Sequence, residues 1–315
     1  MKEQILLIMT VLMFLGINQK LLSQNTNIEI THTRNPDKSV DFSFTKKLPG
    51  SYYLKVEFPT LENSYKTEFE GVIKNNSGRL LKLSPINKEQ PVNFSYTFSF
   101  VRGNPDAKID TDFLYVLPFS VGSSIDIVKS TNLKEEYFNA EKNPNWNSFI
   151  VDRESADTVF NMRKGIVIEV IDEFKADLTD AYKYTSNLNK ILIEHEDGSI
   201  ARYTGFNNRS IFVKPGQTVY PQTKLGALDI FNNSVYRLYF DIYHLKKMNL
   251  DTKEKRTLSS EDQSEHINPI FYSPSGPFTL NSNNKYIVEF DDTILFKEFT
   301  NREKRTYKKS PLAFE

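Results

Sequence analysis

The chain has no cysteine in 315 residues. That absence excludes a disulfide framework and a lipid attached to an N-terminal cysteine, so stability has to come from packing alone. Tryptophan occurs once, against 24 Phe and 16 Tyr, a bias that suits strands rather than helix bundles. No charge of either sign prevails, because 40 basic residues meet 40 acidic ones. A chain of zero net charge generates no overall field that would gather nucleic acid or an anionic membrane. Beyond residue 23 no apolar run approaches the ~20 residues that a membrane-spanning helix needs. There is no Gly-Lys-Ser/Thr phosphate loop and no G-x-S-x-G elbow, the usual markers of nucleotide and serine-hydrolase chemistry. Histidine is scarce, with four residues in all, and none lies between His32 and His195.

What is present begins with a targeting signal. Lys2, an apolar run from Ile5 to Ile17 and the sequence Leu21-Leu22-Ser23 read as a secretory signal peptide over residues 1–23, shorter than a spanning helix and ending in a small residue at a plausible cleavage position, the alternative being an uncleaved N-terminal anchor. The mature protein is expected to be exported, periplasmic or secreted, with no membrane span after cleavage. Its length predicts two domains. Residues 24–115 carry short bursts in which apolar and polar residues alternate, as in NIEIT (27–31), SVDFSF (39–44), YYLKVEF (52–58) and VNFSYTFSF (92–100). Period two with aromatic and β-branched enrichment is the mark of half-buried strands. Turn clusters such as Asn35-Pro36-Asp37 and Leu48-Pro49-Gly50 separate them, which predicts an antiparallel β-sandwich.

Residues 116–147 are expected to be a linker, more polar toward its end. Residues 148–247 again read as short strands joined by tight turns, among them KGIVIEVI (164–171), KILIEH (190–195) and VYRLYFDI (235–242). Residues 248–315 hold a polar linker, two further strand-like pieces and the basic stretch Asn301–Lys309, expected to be a solvated, mobile end. The fold class predicted is all-β throughout.

Four segments of the second unit, in order, resemble the lysostaphin-type (M23) zinc peptidases, enzymes that cut the peptide bridges of bacterial cell walls. DTVFNMRKGIV (157–167) is similar to that family's "G-T-x-V-x-A-x-x-x-G-x-V", and NKILIEHEDGSIARY (189–203) to its "N-x-V-x-I-x-H-x-D-G-x-x-x-x-Y" hairpin. FVKPGQTVYPQTKLG (212–226) resembles "V-x-x-G-x-x-V-x-x-G-x-x-I-G", and LYFDI (238–242) the closing "H-L-H-F-E-V". VLPFSVG (116–122) resembles the lead-in of members with an N-terminal β domain.

The resemblance implies a zinc site made from an H-x-x-x-D motif and the second His of H-x-H, with a "Y-x-H" motif assisting. This chain departs from the pattern at each histidine. H-x-H reads Arg237-Leu238-Tyr239, Y-x-H reads Tyr203-Thr204-Gly205, and Asp152, close to the expected Asp ligand, has Ser148 four positions earlier. Zinc activates water only where protein ligands hold it with one position open. A guanidinium repels the ion, and a neutral phenol is a rare ligand.

A catalytically inactive M23-like domain is therefore expected, with no catalytic residue and no cofactor. Asp152, Tyr203, Gly205, Arg237 and Tyr239 are the candidate binding groove, with Tyr203, Arg237 and Tyr239 on its floor. The partner implied is a peptidoglycan peptide or a cell-wall hydrolase regulated by the domain. The alternative is an active zinc endopeptidase using ligands such as His195, His244, Asp241 or Asp152. His195 reads as a turn residue, and His244 and His266 as surface residues. Asp152, Asp241 and Glu194 could in principle serve as paired carboxylates.

Overall fold

Alternating sequence produces alternating burial. β1 (Ile28–Arg34) and β2 (Val40–Lys46) form a hairpin in which Val40, Phe42 and Phe44 point inward while Asp41 and Ser43 face outward. β3 (Tyr52–Glu62), β4 (Glu68–Ile73), β5 (Ser77–Leu83) and β6 (Asn93–Arg102) complete two three-stranded sheets, ordered β1-β2-β5 and β4-β3-β6. Their inner faces share one core, which includes Phe42, Leu54, Val56 and Leu83, all buried. Each such side chain contributes about 1.5–3 kcal/mol on leaving water.

The computed structural model describes residues 27–130, 147–175, 188–232, 234–247 and 263–314. The stretch read as a signal peptide lies outside them, as do the later part of the expected 116–147 linker and most of the polar linker after residue 247. Among the described residues no helix is long and apolar enough to cross a membrane.

A second core lies around a twelve-stranded sheet. Its strands are β8 (Ser124–Lys129), β9 (Ser148–Arg153), β10 (Thr158–Phe160), β11 (Gly165–Ile171), β12 (Asn189–Glu194), β13 (Ile200–Ile211), β14 (Thr218–Val219), β15 (Lys224–Leu228), β16 (Ile230–Asn232), β17 (Val235–Leu245), β18 (Ser264–His266) and β21 (Asn284–Ile287). The main path runs β14-β11-β12-β13-β17-β9-β8-β21. A small sheet joins β7 (Leu114–Tyr115), β19 (Ile270–Phe271) and β20 (Phe278–Thr279), and its β19–β7 pair is parallel. Among the described residues the protein is nearly all β, as its sequence predicts, and its other strand pairs are antiparallel.

Two boundaries differ from the sequence expectation. The stretch expected to open a linker at residue 116 is core instead. Phe113, Tyr115, Val116, Leu117 and Phe119 are buried in the second core, and β8 pairs with β9 inside the large sheet. Apolar density at 113–119 outweighs the polar text that follows it. The basic stretch 301–309, expected to be a mobile end, is helical. After the short α1 (Asp292–Leu295), α2 (Asn301–Lys309) starts at Thr300, whose hydroxyl accepts from Glu303 N while the Glu303 carboxylate accepts from Thr300 N. This capping box satisfies two of the N–H groups that a helix start leaves open. Glu303 also accepts from Lys164 Nζ at 2.8 Å and from the Tyr220 hydroxyl at 2.7 Å, which ties the helix to the sheet.

The sandwich sits against the large sheet through specific contacts. The Glu194 carboxylate accepts from Ser51 N at 2.7 Å, and Arg102 reaches both Tyr52 and Glu169. Gly50 has φ +90°, and a Cβ there would lie 2.6 Å from Ile168 Cγ2, so only glycine lets the two surfaces close.

Candidate functional site

β17 divides its side chains between two faces. Leu238, Phe240 and Ile242 enter the second core, while Arg237, Tyr239 and Asp241 alternate onto the opposite face. Register then fixes their neighbours. Arg237 faces Asp152 on β9. Tyr239 lies between Ile150 of β9 and Thr204 of β13, and Thr204 faces Lys190 of β12, which in turn faces Ile171 of β11. Asp241 lies between Ser148 and Arg202, and Arg202 faces Leu192. Three rows of side chains thus cross the sheet side by side.

The first row is closed by an ion pair. Arg237 donates through Nε to Asp152 Oδ1 at 2.6 Å and through Nη2 to Oδ2 at 2.7 Å, the bidentate fork geometry. Its Nη1 reaches the Tyr239 hydroxyl at 3.4 Å, and the guanidinium stands 4.0 Å above the centre of the Phe231 ring. The bond to Asp152, offset in part by burial and reinforced by Tyr239, raises the Arg237 pKa above its already high usual value.

Gly205 explains why no side chain projects beside this pair. It is the extra residue of a bulge, since Lys190 faces Thr204 while Asn189 faces Phe206. Its φ is +113°, and a Cβ would fall 2.1 Å from the carbonyl oxygen of Arg237. Neither the backbone conformation nor the space admits the histidine that the resemblance implies.

Tyr203, expected on the groove floor, is a correction: it is fully buried in the second core. Its hydroxyl donates to Asn161 Oδ1 at 3.1 Å and accepts from Met162 N at 3.0 Å, and burial pushes the phenol well above its usual pKa. Period two puts Tyr203 on the face opposite Arg202 and Thr204. Four of the five expected residues, Asp152, Gly205, Arg237 and Tyr239, do come together.

Both oxygens of Asp152 are engaged by a guanidinium, and among the described residues no three His, Asp or Glu side chains converge as a metal site requires. The alternative ligands are dispersed. His195 is buried with Nδ1 2.8 Å from Lys164 O, and burial followed by the Arg163 charge brings its pKa down to about 3. His244 lies 3.9 Å from Glu265. Asp241 is held by the Arg202 fork, with Arg202 Nε 2.9 Å from Oδ1. His266, expected at the surface, instead has Nδ1 3.3 Å from Asp241 Oδ2, with only 6% of its side chain exposed. β18 places it there by pairing with β17 opposite Tyr243. The three carboxylates considered for acid/base work are each engaged: Asp152 by Arg237, Asp241 by Arg202, and Glu194 by the Ser51 N–H.

No family model and no curated protein matches the chain. Several solved structures align with it, two peptidases among them. A zinc-containing peptidase from Vibrio cholerae is 15% identical, covers 69% of this chain and 75% of its own, and gives a TM-score of 0.27. A candidate M23 peptidase from Pseudomonas aeruginosa is 13% identical, covers 60% of this chain and 82% of its own, and gives a TM-score of 0.24. Superpositions this loose carry no argument about the site.

Beside the Arg237–Asp152 pair the face opens into a cavity of about 460 Å³ lined by the second and third rows. Lys190, Thr204 and Arg202 belong to it, and sequence reasoning missed all three. The available signal was the basic residue at the outward positions of two otherwise apolar strands, KILIE and IARY. Placing them side by side needed the register, and hence the bulge at Gly205.

Proposed function

We propose that the chain is an exported, non-catalytic module that uses this face to bind peptide of the bacterial cell wall. The observation that carries the reading is the Arg237–Asp152 fork: at the positions where the resemblance implies metal ligands, the chain has a closed guanidinium–carboxylate pair flanked by Tyr239 and Phe231. Arg and Tyr with a stacked ring are residue types that concentrate binding energy at recognition surfaces. The backbone at Gly205 further opposes a catalytic histidine. The apolar segment near the N-terminus supports export.

The test combines elemental analysis of the purified full chain with incubation on cell-wall sacculi, following soluble fragments and co-sedimentation together. Co-sedimentation without release of fragments, reduced at least several-fold by Arg237→Ala, is the expected outcome. Stoichiometric zinc with solubilised fragments would make the protein a peptidase with unusual ligands and end this reading. Absence of both would end it too, in favour of a protein partner such as a cell-wall hydrolase.

A further inference from the structure

The charges around the cavity do not cancel. Asp241 is only 2% exposed at its side chain and is satisfied by the Arg202 fork and by His266. Glu169, the carboxylate nearest Lys190, is held by two Arg102 contacts at 3.0 and 3.2 Å, leaving Lys190 Nζ 3.9 Å away as an outer neighbour. Among the lining residues two cations, Lys190 and Arg202, thus meet one carboxylate, Asp241, and Lys190 is the surplus cation of the lining. Arg202 gives Nε and Nη2 to Asp241, its side chain is 40% exposed, and it lines the cavity. Thr204 and Ser148 add hydroxyls to the lining.

The wall next to Lys190 is apolar, formed by Ile171, Phe174 and Leu188. It is held rigidly. Asn189, buried beneath it, accepts from Phe174 N at 2.9 Å and donates to Phe174 O at 2.7 Å, and Asp172 accepts from Arg209 N at 2.6 Å. The volume of about 460 Å³ falls within the roughly 300–1,000 Å³ of pockets that take small ligands.

From this arrangement we infer that the cavity is a carboxylate-recognition subsite. Lys190, with the exposed edge of Arg202, receives the free C-terminal carboxylate of a short peptide, and the Ile171–Phe174–Leu188 wall receives the aliphatic side chain beside it. One surplus positive charge matches a monoanion better than a doubly charged phosphate, whose second charge would face Asp241 unbalanced. The inference deepens the proposed binding function and rests on it for the class of ligand, because it assigns the end of the bound peptide.

The experiment uses the full chain and two probes, N-acetyl-Ala-Ala with a free carboxylate and the same peptide as its C-terminal amide, titrated calorimetrically. The acid is expected to bind at least ten-fold more tightly than the amide, and Lys190→Gln is expected to erase that preference. The variant should keep the parent thermal midpoint, since its lysine is half-exposed and only loosely paired. Lys285→Gln, at an exposed lysine of β21 outside the cavity lining, should leave the preference intact. Equal binding of acid and amide to the parent chain, or a preference that survives Lys190→Gln, would overturn the subsite. The wider reading fails separately: acid preference without co-sedimentation on sacculi keeps the subsite and removes the cell-wall ligand, whereas co-sedimentation without acid preference does the reverse.

Discussion

Two arginines of this fold each hold carboxylates, one behind the sheet and one on its open face, and their surroundings are opposite. Arg163 is 3% exposed at its side chain and bridges Asp197 at 2.8 Å and Glu298 at 2.8 Å, with Tyr115 bonded to it and the Phe113 ring 3.7 Å away. Arg237 forks onto Asp152 with side chains 22% and 45% exposed. The first joins residues 34 and 135 positions apart in the chain and pins the C-terminal segment to the core. The second joins neighbouring strands that the backbone ladder already holds. A buried pair is costly to break because the partner is left charged and dry, whereas an exposed pair is worth little to stability. The same chemistry is therefore structural at Arg163, while at Arg237 stability alone does not account for it.

The largest test of that contrast is Arg163→Met. It leaves Asp197 and Glu298 buried without their cation, and the expected loss is about 3–5 kcal/mol in urea unfolding. Burial already pushes the Glu298 carboxyl above its usual pKa even with Arg163 bonded to it. Loss below about 1 kcal/mol would mean that water reaches this cluster and the contrast is not one of burial.

Next in size is Tyr203→Phe. The variant keeps the packing but removes the acceptor for Met162 N–H and the donor to Asn161, all within the core. A buried donor left unmade costs about 1–3 kcal/mol. Ligand binding should be unchanged, because Tyr203 has no surface on the cavity side. A binding defect without a stability defect would restore the groove role expected from sequence.

The cluster around Arg163 also fixes a pH response. His195 stays neutral in the folded chain down to about 3, since burial and the Arg163 charge oppose its protonation; in the unfolded chain it titrates near 6.5. Between those values the unfolded state binds the extra proton, so the contribution is fully present above about pH 6.5 and is lost as pH falls through this window. One proton corresponds to at most about 1.4 kcal/mol per pH unit. His195→Gln, whose amide can still donate to Lys164 O, should flatten the stability profile between pH 6 and 5 by about 1 kcal/mol. An unchanged slope would show that His195 titrates normally and that this side of the sheet is wet.

What the sequence made legible follows the same division. The strands of both units announced themselves, by period two in SVDFSF and VNFSYTFSF of the first and by short apolar runs between tight turns, such as KGIVIEVI and KILIEH, in the second. The neighbourhood of Asp152, Gly205, Arg237 and Tyr239 came from the resemblance, which carries spacing as well as residue type. Tyr203 was misplaced because the motif was read without alternation: in continuous register with β17 it stands opposite Phe240 on the core side, while Arg202 and Thr204 face the groove. His266 was misread because its burial depends on β18 pairing with β17 across a long separation in sequence. The capping box at Thr300 and Glu303 was readable locally, but the basic residues around it drew attention away. Lys190 and Arg202 were visible as residues and invisible as neighbours, since adjacency on a sheet is a property of register.

The smallest effect on stability is expected at Arg237, and it is the sharpest test of the comparison. Arg237→Met removes the fork to Asp152, whose carboxylate stays 45% exposed and is rehydrated. The methionine keeps apolar contact with the Phe231 ring, over which the guanidinium lay at 4.0 Å. The unfolding free energy should move by less than about 1 kcal/mol, while co-sedimentation with sacculi falls at least several-fold. The two readouts separate the roles: a pair that mattered for folding would move both together, as at Arg163. A loss of 3 kcal/mol or more at Arg237 would place the two arginines in one class. Unchanged stability with unchanged binding would leave the fork without a function on this face and shift the ligand wholly to the Lys190 side.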